Sequence, residues 1–258
     1  MIRDATSSDK IRVLEFCKNT FSWGDYVQDV WNYWIKEGNL LLFEKKFPLG
    51  ICHAFFSKDQ IWIEGIRIDP SFRRCKIASS LVEHAESLAK EKNCTFSYML
   101  IDTENSNSMK MAISLDYDVF QTWNFYSLLP KKNLDFDIQF VASLDSQKFS
   151  HYVKSWRWIP LDDDVSSVLC KEKKIITSRV DGIESFAIFG DSEHFEKTLI
   201  VTLFSGSRNS CLEIILFLQN HAFENNYNRI QILTKEHLLF PDYLEHKLSF
   251  HLMKKLLN

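Results

Sequence analysis

Three cations crowd one short turn of this 258-residue chain: Arg73, Arg74 and Lys76 stand between a strand-like run, Gln60 to Ile68, and an amphipathic run that opens at Ile77. A helix that begins directly after a strand and a tight turn points several unpaired backbone N–H groups outward, with a partial positive charge of about half a unit. Such an end holds phosphate, and nearby cations reinforce it. The residues placed for that task are Arg73, Arg74, Cys75, Lys76, Ile77, Ala78 and Ser79. A plain surface turn with solvated basic residues is the alternative.

Glu64 is the second residue with chemical potential. It is a carboxylate inside the apolar run Ile61-Trp62-Ile63-Glu64-Gly65-Ile66, either at an exposed edge or placed for use as a general base, directly or through a water. Side chains of a strand alternate, so Glu64, Ile66 and Ile68 are expected on one face. Asn105 and Ser108 have the residue types of a turn and a helix cap.

The surrounding periodicities describe an α/β chain with a mixed sheet. A strand at Ile2 to Asp4 precedes a helix with apolar positions Ile11, Val13, Leu14 and Cys17. An aromatic-rich stretch from Phe21 to Trp34 follows, then strands around Asn39 to Phe43 and Leu49 to Phe56. Asp69-Pro70 ends the strand Gln60 to Ile68, because proline removes a ladder donor and restricts its neighbour. Ile77, Leu81, Ala85 and Leu88 then share a helical face, and the helix runs to about Lys92. Strand Thr95 to Ile101, helix Ser108 to Leu115 and strand Val119 to Leu128 complete a first domain, 1–130.

Pro130-Lys131-Lys132-Asn133 interrupts the apolar pattern and marks the expected boundary to a second domain, 134–258. There the order strand, turn, helix, strand recurs at Thr198 to Phe204, Gly206 to Arg208, Ser210 to Asn225 and Arg229 to Thr234, a degenerate structural repeat. The turn Ser205-Gly206-Ser207-Arg208-Asn209 carries a single cation, so a second phosphate site is not expected.

Composition narrows the function classes. Hydrophobic residues at 45% and charged residues at 25% are the balance of a folded soluble protein. A net charge of -3 gives no basic field of the kind that holds DNA or RNA, so no nucleic-acid partner is expected. No run approaches the roughly 20 apolar residues that cross a bilayer, and no leader pattern opens the chain, so no membrane partner and a cytoplasmic location are expected. The six cysteines form no C-x-x-C pair and have no histidine at zinc-ligand spacing; reduced, mostly buried thiols and no metal follow.

The run Ile66-Arg67-Ile68-Asp69-Pro70-Ser71-Phe72-Arg73-Arg74-Cys75-Lys76-Ile77-Ala78 resembles the signature of the GNAT N-acetyltransferases, a pyrophosphate loop reading Gln/Arg-x-x-Gly-x-Gly/Ala between a fourth strand and a third helix. Arg73 takes the first place and Ala78 the last, while Lys76 stands where the family has its first glycine. Asn105 to Tyr117 is similar to the family's Asn-x-x-Ser … Leu-Gly-Phe/Tyr segment, with Asp116 in place of the glycine and Ala112 where many relatives carry a tyrosine that protonates the departing thiolate. The resemblance implies acetyl-CoA as cofactor and CoA as product. It places Asn105 and Ser108 near the pantetheine arm, and assigns the backbone of Ile66 and Ile68 to the pantetheine and acetyl carbonyl. It also makes the loop before the second helix the acceptor side, where Asp25 and Tyr26 are the polar candidates and Trp31 and Trp34 read as packing.

Asp25-Tyr26-Val27, Trp34, the run Trp62 to Ile68 and a second half together resemble the tandem-domain, histidine N-acetyltransferase-like subgroup. That likeness implies a small-molecule amine substrate, such as the α-amine of an amino acid, with the second domain closing over it. Arg157, in Trp156-Arg157-Trp158, either recognises the substrate carboxylate or packs between domains. A protein lysine or N-terminal acetyltransferase and a non-catalytic acyl-CoA sensor are the rival readings, and a monomer or homodimer is expected.

Overall fold

The computed structural model of the protein describes residues 1–18, 20, 24–144, 149–240 and 242–257; Trp23, in the aromatic stretch, lies outside them. The chain divides into two compact units, Met1–Phe120 with His251–Asn258, and Gln121–Phe250.

The first unit holds β1 (Ile2–Asp4), α1 (Lys10–Cys17), α2 (Val27–Glu37), β2 (Leu40–Glu44), β3 (Pro48–Ser57), β4 (Gln60–Ile68), α3 (Ile77–Glu91), β5 (Phe96–Asp102) and α4 (Ser106–Ser114). Its strands lie in the order β1-β2-β3-β4-β5, antiparallel up to β4, with β4 and β5 parallel. Both faces of this sheet are covered, which is why its strands read as near-continuous apolar runs. Leu40, Leu42 and Ile51 pack with Val13, Phe16, Val27, Val30, Trp31 and Trp34 of α1 and α2. Their alternates Leu41, Cys52 and Ala54, with Ile61 and Ile63, pack with Ile77, Leu81, Val82, Ala85 and Ala89 of α3.

The second unit is built from β6 (Asp118–Leu128), β7 (Gln139–Phe140), β8 (His151–Lys154), β9 (Arg157–Pro160), α5 (Asp163–Lys171), β10 (Ile175–Val180), β11 (Ile183–Asp191), β12 (Thr198–Phe204), α6 (Arg208–Glu224), β13 (Arg229–Thr234) and β14 (Glu245–Leu256). Its sheet runs β6-β13-β12-β11-β10-β7, and the α6 residues Cys211, Ile214, Ile215, Leu218 and Ala222 pack on it.

The division falls inside β6, ahead of the interruption at Pro130 to Asn133. The cause is pairing: Asn124 to Leu128 of β6 form an antiparallel ladder with Ile230 to Thr234 of β13, within the second unit. The end of β14 belongs to the first unit, where the Leu257 N–H donates to the Thr95 carbonyl at 2.8 Å. Pairing between segments so far apart in sequence leaves no local signature, whereas turn residues such as Pro130 to Asn133 do.

Candidate active site

The register of β3 against β4 runs from Ser57↔Gln60 to His53↔Glu64 and resumes at Ile51↔Arg67 and Gly50↔Ile68. The step from His53 to Ile51 crosses two residues while the step from Glu64 to Arg67 crosses three, so β4 carries one extra residue at a bulge. Gly65 sits there at φ +65°, and a Cβ on it would lie 2.3 Å from Trp34 Cη2. Glycine supplies both the left-handed backbone and the room. The bulge also changes faces. Ile61 and Ile63, then Ile66 and Ile68, belong to the α3 side, whereas Glu64 pairs with His53 and Arg67 with Asp25, on the α2 side. Strict alternation put Glu64, Ile66 and Ile68 on one face; the extra residue removes Glu64 from it.

On its other edge β4 pairs with β5 only from Gln60↔Phe96 to Ile63↔Met99, although β4 continues to Ile68 and β5 to Asp102. Beyond Ile63 no ladder joins the two strands, and the backbones of Ile66 and Ile68 border the gap.

Helix α3 opens just past that gap. Its N-cap, Lys76, has φ 60° and ψ 12° and no side-chain cap bond, and the Ser80 N–H to Lys76 carbonyl bond, 2.9 Å, closes the first turn. Arg74 is also left-handed, at φ 64°. A lysine in this region costs about 1 kcal/mol or more relative to glycine, yet Lys76 has the left-handed backbone that a glycine would adopt freely. Arg73, Arg74, Cys75 and Lys76 are exposed, Ala78 and Ser79 half-buried and Ile77 buried. Among the described residues Arg73, Arg74 and Lys76 form no ion pair. Asp69 anchors the turn: it is buried, accepts from the Ser71 N–H at 3.0 Å and pairs with Arg12 of α1 at 3.0 Å.

The corresponding end of α6 is closed by the protein itself. Ser207 Oγ accepts from the Ser210 N–H at 3.2 Å, Ser210 Oγ from the Ser207 N–H at 3.3 Å and Ser185 Oγ from the Gly206 N–H at 2.9 Å. There the flanking strand has no bulge: β11 and β12 keep register from Phe186↔Phe204 to Asp191↔Leu199. An uncapped helix end, beside a bulged strand that parts from its neighbour, is found at α3 and not at α6.

Against the α2 face, the sequence candidates Glu64, Asp25 and Tyr26 come together. Glu64 Oε1 lies 2.9 Å from His53 Nδ1, and its Oε2 accepts from Trp62 Nε1 at 3.2 Å. Asp25 receives Arg67 through Nε at 2.6 Å and Nη2 at 3.1 Å, and its Oδ1 also accepts from the Val27 N–H at 3.1 Å. Arg67 lies over the Tyr26 ring, 5.2 Å from its centroid, and Tyr26 meets Trp34 edge-on at 6.1 Å. Burial pushes the Tyr26 phenol above its usual value, with Arg67 opposing the shift, so this hydroxyl keeps its proton in neutral solution. Asp25 thus fixes the loop ahead of α2 to β4. His53 and Arg67 escaped the sequence reading; the signal for His53 was a lone polar residue at the centre of an otherwise apolar strand.

Asn105 caps α4, its Oδ1 accepting from the Ser108 N–H at 3.1 Å. Asp116 is left-handed at φ 63°, a second non-glycine residue doing what glycine does in the family segment. Ala112 is buried, and Tyr117, also buried, shares a hydrogen bond with Ser97 Oγ; burial holds that phenol well above its ordinary value. Arg157 belongs to the second unit and is 2% exposed, between left-handed Trp156 and buried Trp158. Among the described residues no group of three His, Cys, Asp or Glu is placed to hold a metal, and no helix is long and apolar enough to cross a membrane.

The family model of the GNAT acetyltransferases matches residues 8–116, which span the bulge, the gap and the α3 turn. Residues 8–116 are a GNAT acetyltransferase domain. Members of this family transfer acetyl groups from acetyl-CoA. No curated protein matches the sequence. Among solved structures, the chain is similar to a protein of Thermoplasma acidophilum (TM-score 0.67, 13% identity, 99% of each chain covered). It is also similar to a GCN5-related N-acetyltransferase of Sphaerobacter thermophilus (TM-score 0.64, 10% identity, covering 100% of this chain and 96% of that one). A tandem GNAT protein from the clavulanic acid biosynthesis pathway matches over 100% of this chain and 98% of its own, at TM-score 0.55 and 9% identity. At these identities the likeness is one of fold, and it covers both units.

Proposed function

We propose that the GNAT domain binds acetyl-CoA with its pyrophosphate at the N-terminus of α3 and transfers the acetyl group to the primary amine of a small molecule, the α-amine of an amino acid such as histidine being the sequence-based expectation. The observation that carries this reading is the uncapped end of α3, with Arg73, Arg74 and Lys76 unpaired, beside the parted strands β4 and β5. When bound, acetyl-CoA supplies an activated thioester. The N–H groups of Lys76 to Ser79 and the three cations hold the pyrophosphate. The backbones of Ile66 and Ile68 hold the arm in the gap, and Asn105 and Ser108 flank it. Ala112 offers no acid for the leaving sulfur, so another acid or water would supply that proton.

Glu64 is assigned the amine's first proton, because an ammonium must become neutral before its lone pair can attack. Arg67, Asp25 and Tyr26 give the acceptor side a fixed wall, and Asp25 acts there by holding Arg67. A panel of free amino acids, polyamines and lysine peptides, with CoA thiol release as the readout, tests the reading. Release with one or more free amines is expected. Thermal stabilisation by acetyl-CoA without thiol release against any amine would support the sensor reading instead.

A further inference from the structure

His53 stands in the middle of β3 with its side chain fully buried, flat against Trp34 at 4.9 Å between ring centroids and 7° between planes. Its Nε2 is 3.0 Å from the Gly38 carbonyl oxygen, which can only accept, so Nε2 carries a hydrogen. Its Nδ1 is 2.9 Å from Glu64 Oε1. A ring nitrogen lone pair and a carboxylate lone pair do not approach that closely without a proton between them. Nδ1 and Oε1 are therefore joined by one hydrogen bond, and the ring that makes it is held by Gly38 at Nε2 and by the stack on Trp34. Among the described residues two carboxylates meet the ring, Glu64 from β4 and Glu37 from α2, whose Oε2 is 3.4 Å from Nε2, and the neutral Trp34 stacks on its face.

We propose that His53 is the positioning residue of the proton-accepting carboxylate: it aims Glu64 by holding Oε1 in the hydrogen bond to Nδ1, which leaves Oε2 to take the proton from the amine. This rests on the reading of Glu64 as the group that receives the amine proton. In the step, one N–H bond of the ammonium breaks and one O–H bond forms on the Glu64 carboxylate, leaving the amine neutral; no other covalent bond forms or breaks. Trp62, donating to Oε2, fixes the other oxygen, so the carboxylate plane is set from two sides.

A buried core histidine with no such role would be replaceable by a ring of equal size. His53→Phe keeps the stacking on Trp34 and removes both nitrogens, whereas His53→Asn keeps an amide near the place of Nδ1. With acetyl-CoA and the amine panel, His53→Phe is expected to lower kcat by about 10-fold or more, within the range of general-base effects, with KM for acetyl-CoA changed less than about 2-fold. His53→Asn should recover most of that loss. Wild-type kcat in His53→Phe, or equal loss in both variants, overturns the proposal. A second measurement needs neither acceptor nor a His53 variant: the ring-nitrogen NMR spectrum of wild type against Glu64→Gln. The Nδ1 resonance of His53 should differ between the two while the Nε2 resonance is unchanged, and an identical Nδ1 resonance overturns the pairing with Glu64. Wild-type turnover in Glu64→Gln would remove the underlying reading, whereas loss in Glu64→Gln with none in His53→Phe removes this inference alone.

Discussion

The indole of Trp34 fills the space that a side chain at Gly65 would need: a Cβ there would lie 2.3 Å from Cη2 and 2.7 Å from Cζ3. The bulge that turns Glu64 and Arg67 toward α2 therefore depends on a missing side chain and on a fully buried tryptophan filling its place. Gly65→Ala combines left-handed strain of about 1–2 kcal/mol with overpacking of about 1–3 kcal/mol. Thermal or urea unfolding should show a loss on the order of 2–5 kcal/mol, and acetyl transfer should fall further than stability alone explains, because β4 shifts. A variant as stable and active as wild type would mean that the bulge is not constrained by Trp34.

Lys76 separates conformation from charge. Lys76→Gly relieves the left-handed backbone and should leave the fold at least as stable, with a gain of up to about 1 kcal/mol. It also removes a cation from the pyrophosphate loop, so acetyl-CoA should bind more weakly at low salt, by a few-fold, with the difference shrinking as salt is raised. Calorimetric titration at two ionic strengths checks this; a salt-independent difference would count against a role for the charge.

The Arg67–Asp25 pair is nearly dry, with side-chain exposures of 11% and 4%. Breaking one partner of such a pair leaves a buried charge, typically costing about 3–5 kcal/mol. Asp25→Leu should therefore be strongly destabilising, while the double variant Asp25→Leu with Arg67→Met should regain much of the loss. Acetyl-CoA affinity should be little changed in the double variant and the acceptor KM raised. Additive losses in the double-mutant cycle would show that the two residues act separately.

Acid should loosen the start of the chain first. The Arg3 guanidinium, hydrogen-bonded to Asp9 at 2.9 Å through both of its terminal nitrogens, holds that carboxyl down at about 2, below its ordinary value of 3.8. The folded pKa is depressed, so the stabilisation is fully present above about pH 4 and is lost as pH falls through about 2. Asp9→Asn should reduce stability at neutral pH, and the gap to wild type should close between those limits. A gap that persists unchanged at pH 2 would place its origin elsewhere.

The parts of this architecture written in neighbouring residues were legible in the sequence. The periodicity of Ile77, Leu81 and Ala85, the Asp69-Pro70 break and the cations after it located α3 and the basic turn ahead of it, because helix period, proline and charge are local properties. The faces of β4 were not legible, since one inserted residue reverses every side chain beyond it and a lone glycine in a strand does not announce a bulge. Nor was the left-handed state of Lys76, Arg74 and Asp116, for which side-chain identity argues the other way. The pairing of β6 with β13, and of His53 with Glu64, joins residues whose partners only the folded chain brings near.

The difference between the two helix ends gives the most direct test. Backbone amide resonances recorded while the protein is titrated with acetyl-CoA report which N–H groups meet phosphate. Large shifts confined to Arg74 through Ser79, with Ser207 through Cys211 unmoved, are the predicted result. Shifts at Ser207 through Cys211, or none at Lys76 through Ser79 at saturating acetyl-CoA, would contradict the placement of the cofactor at α3.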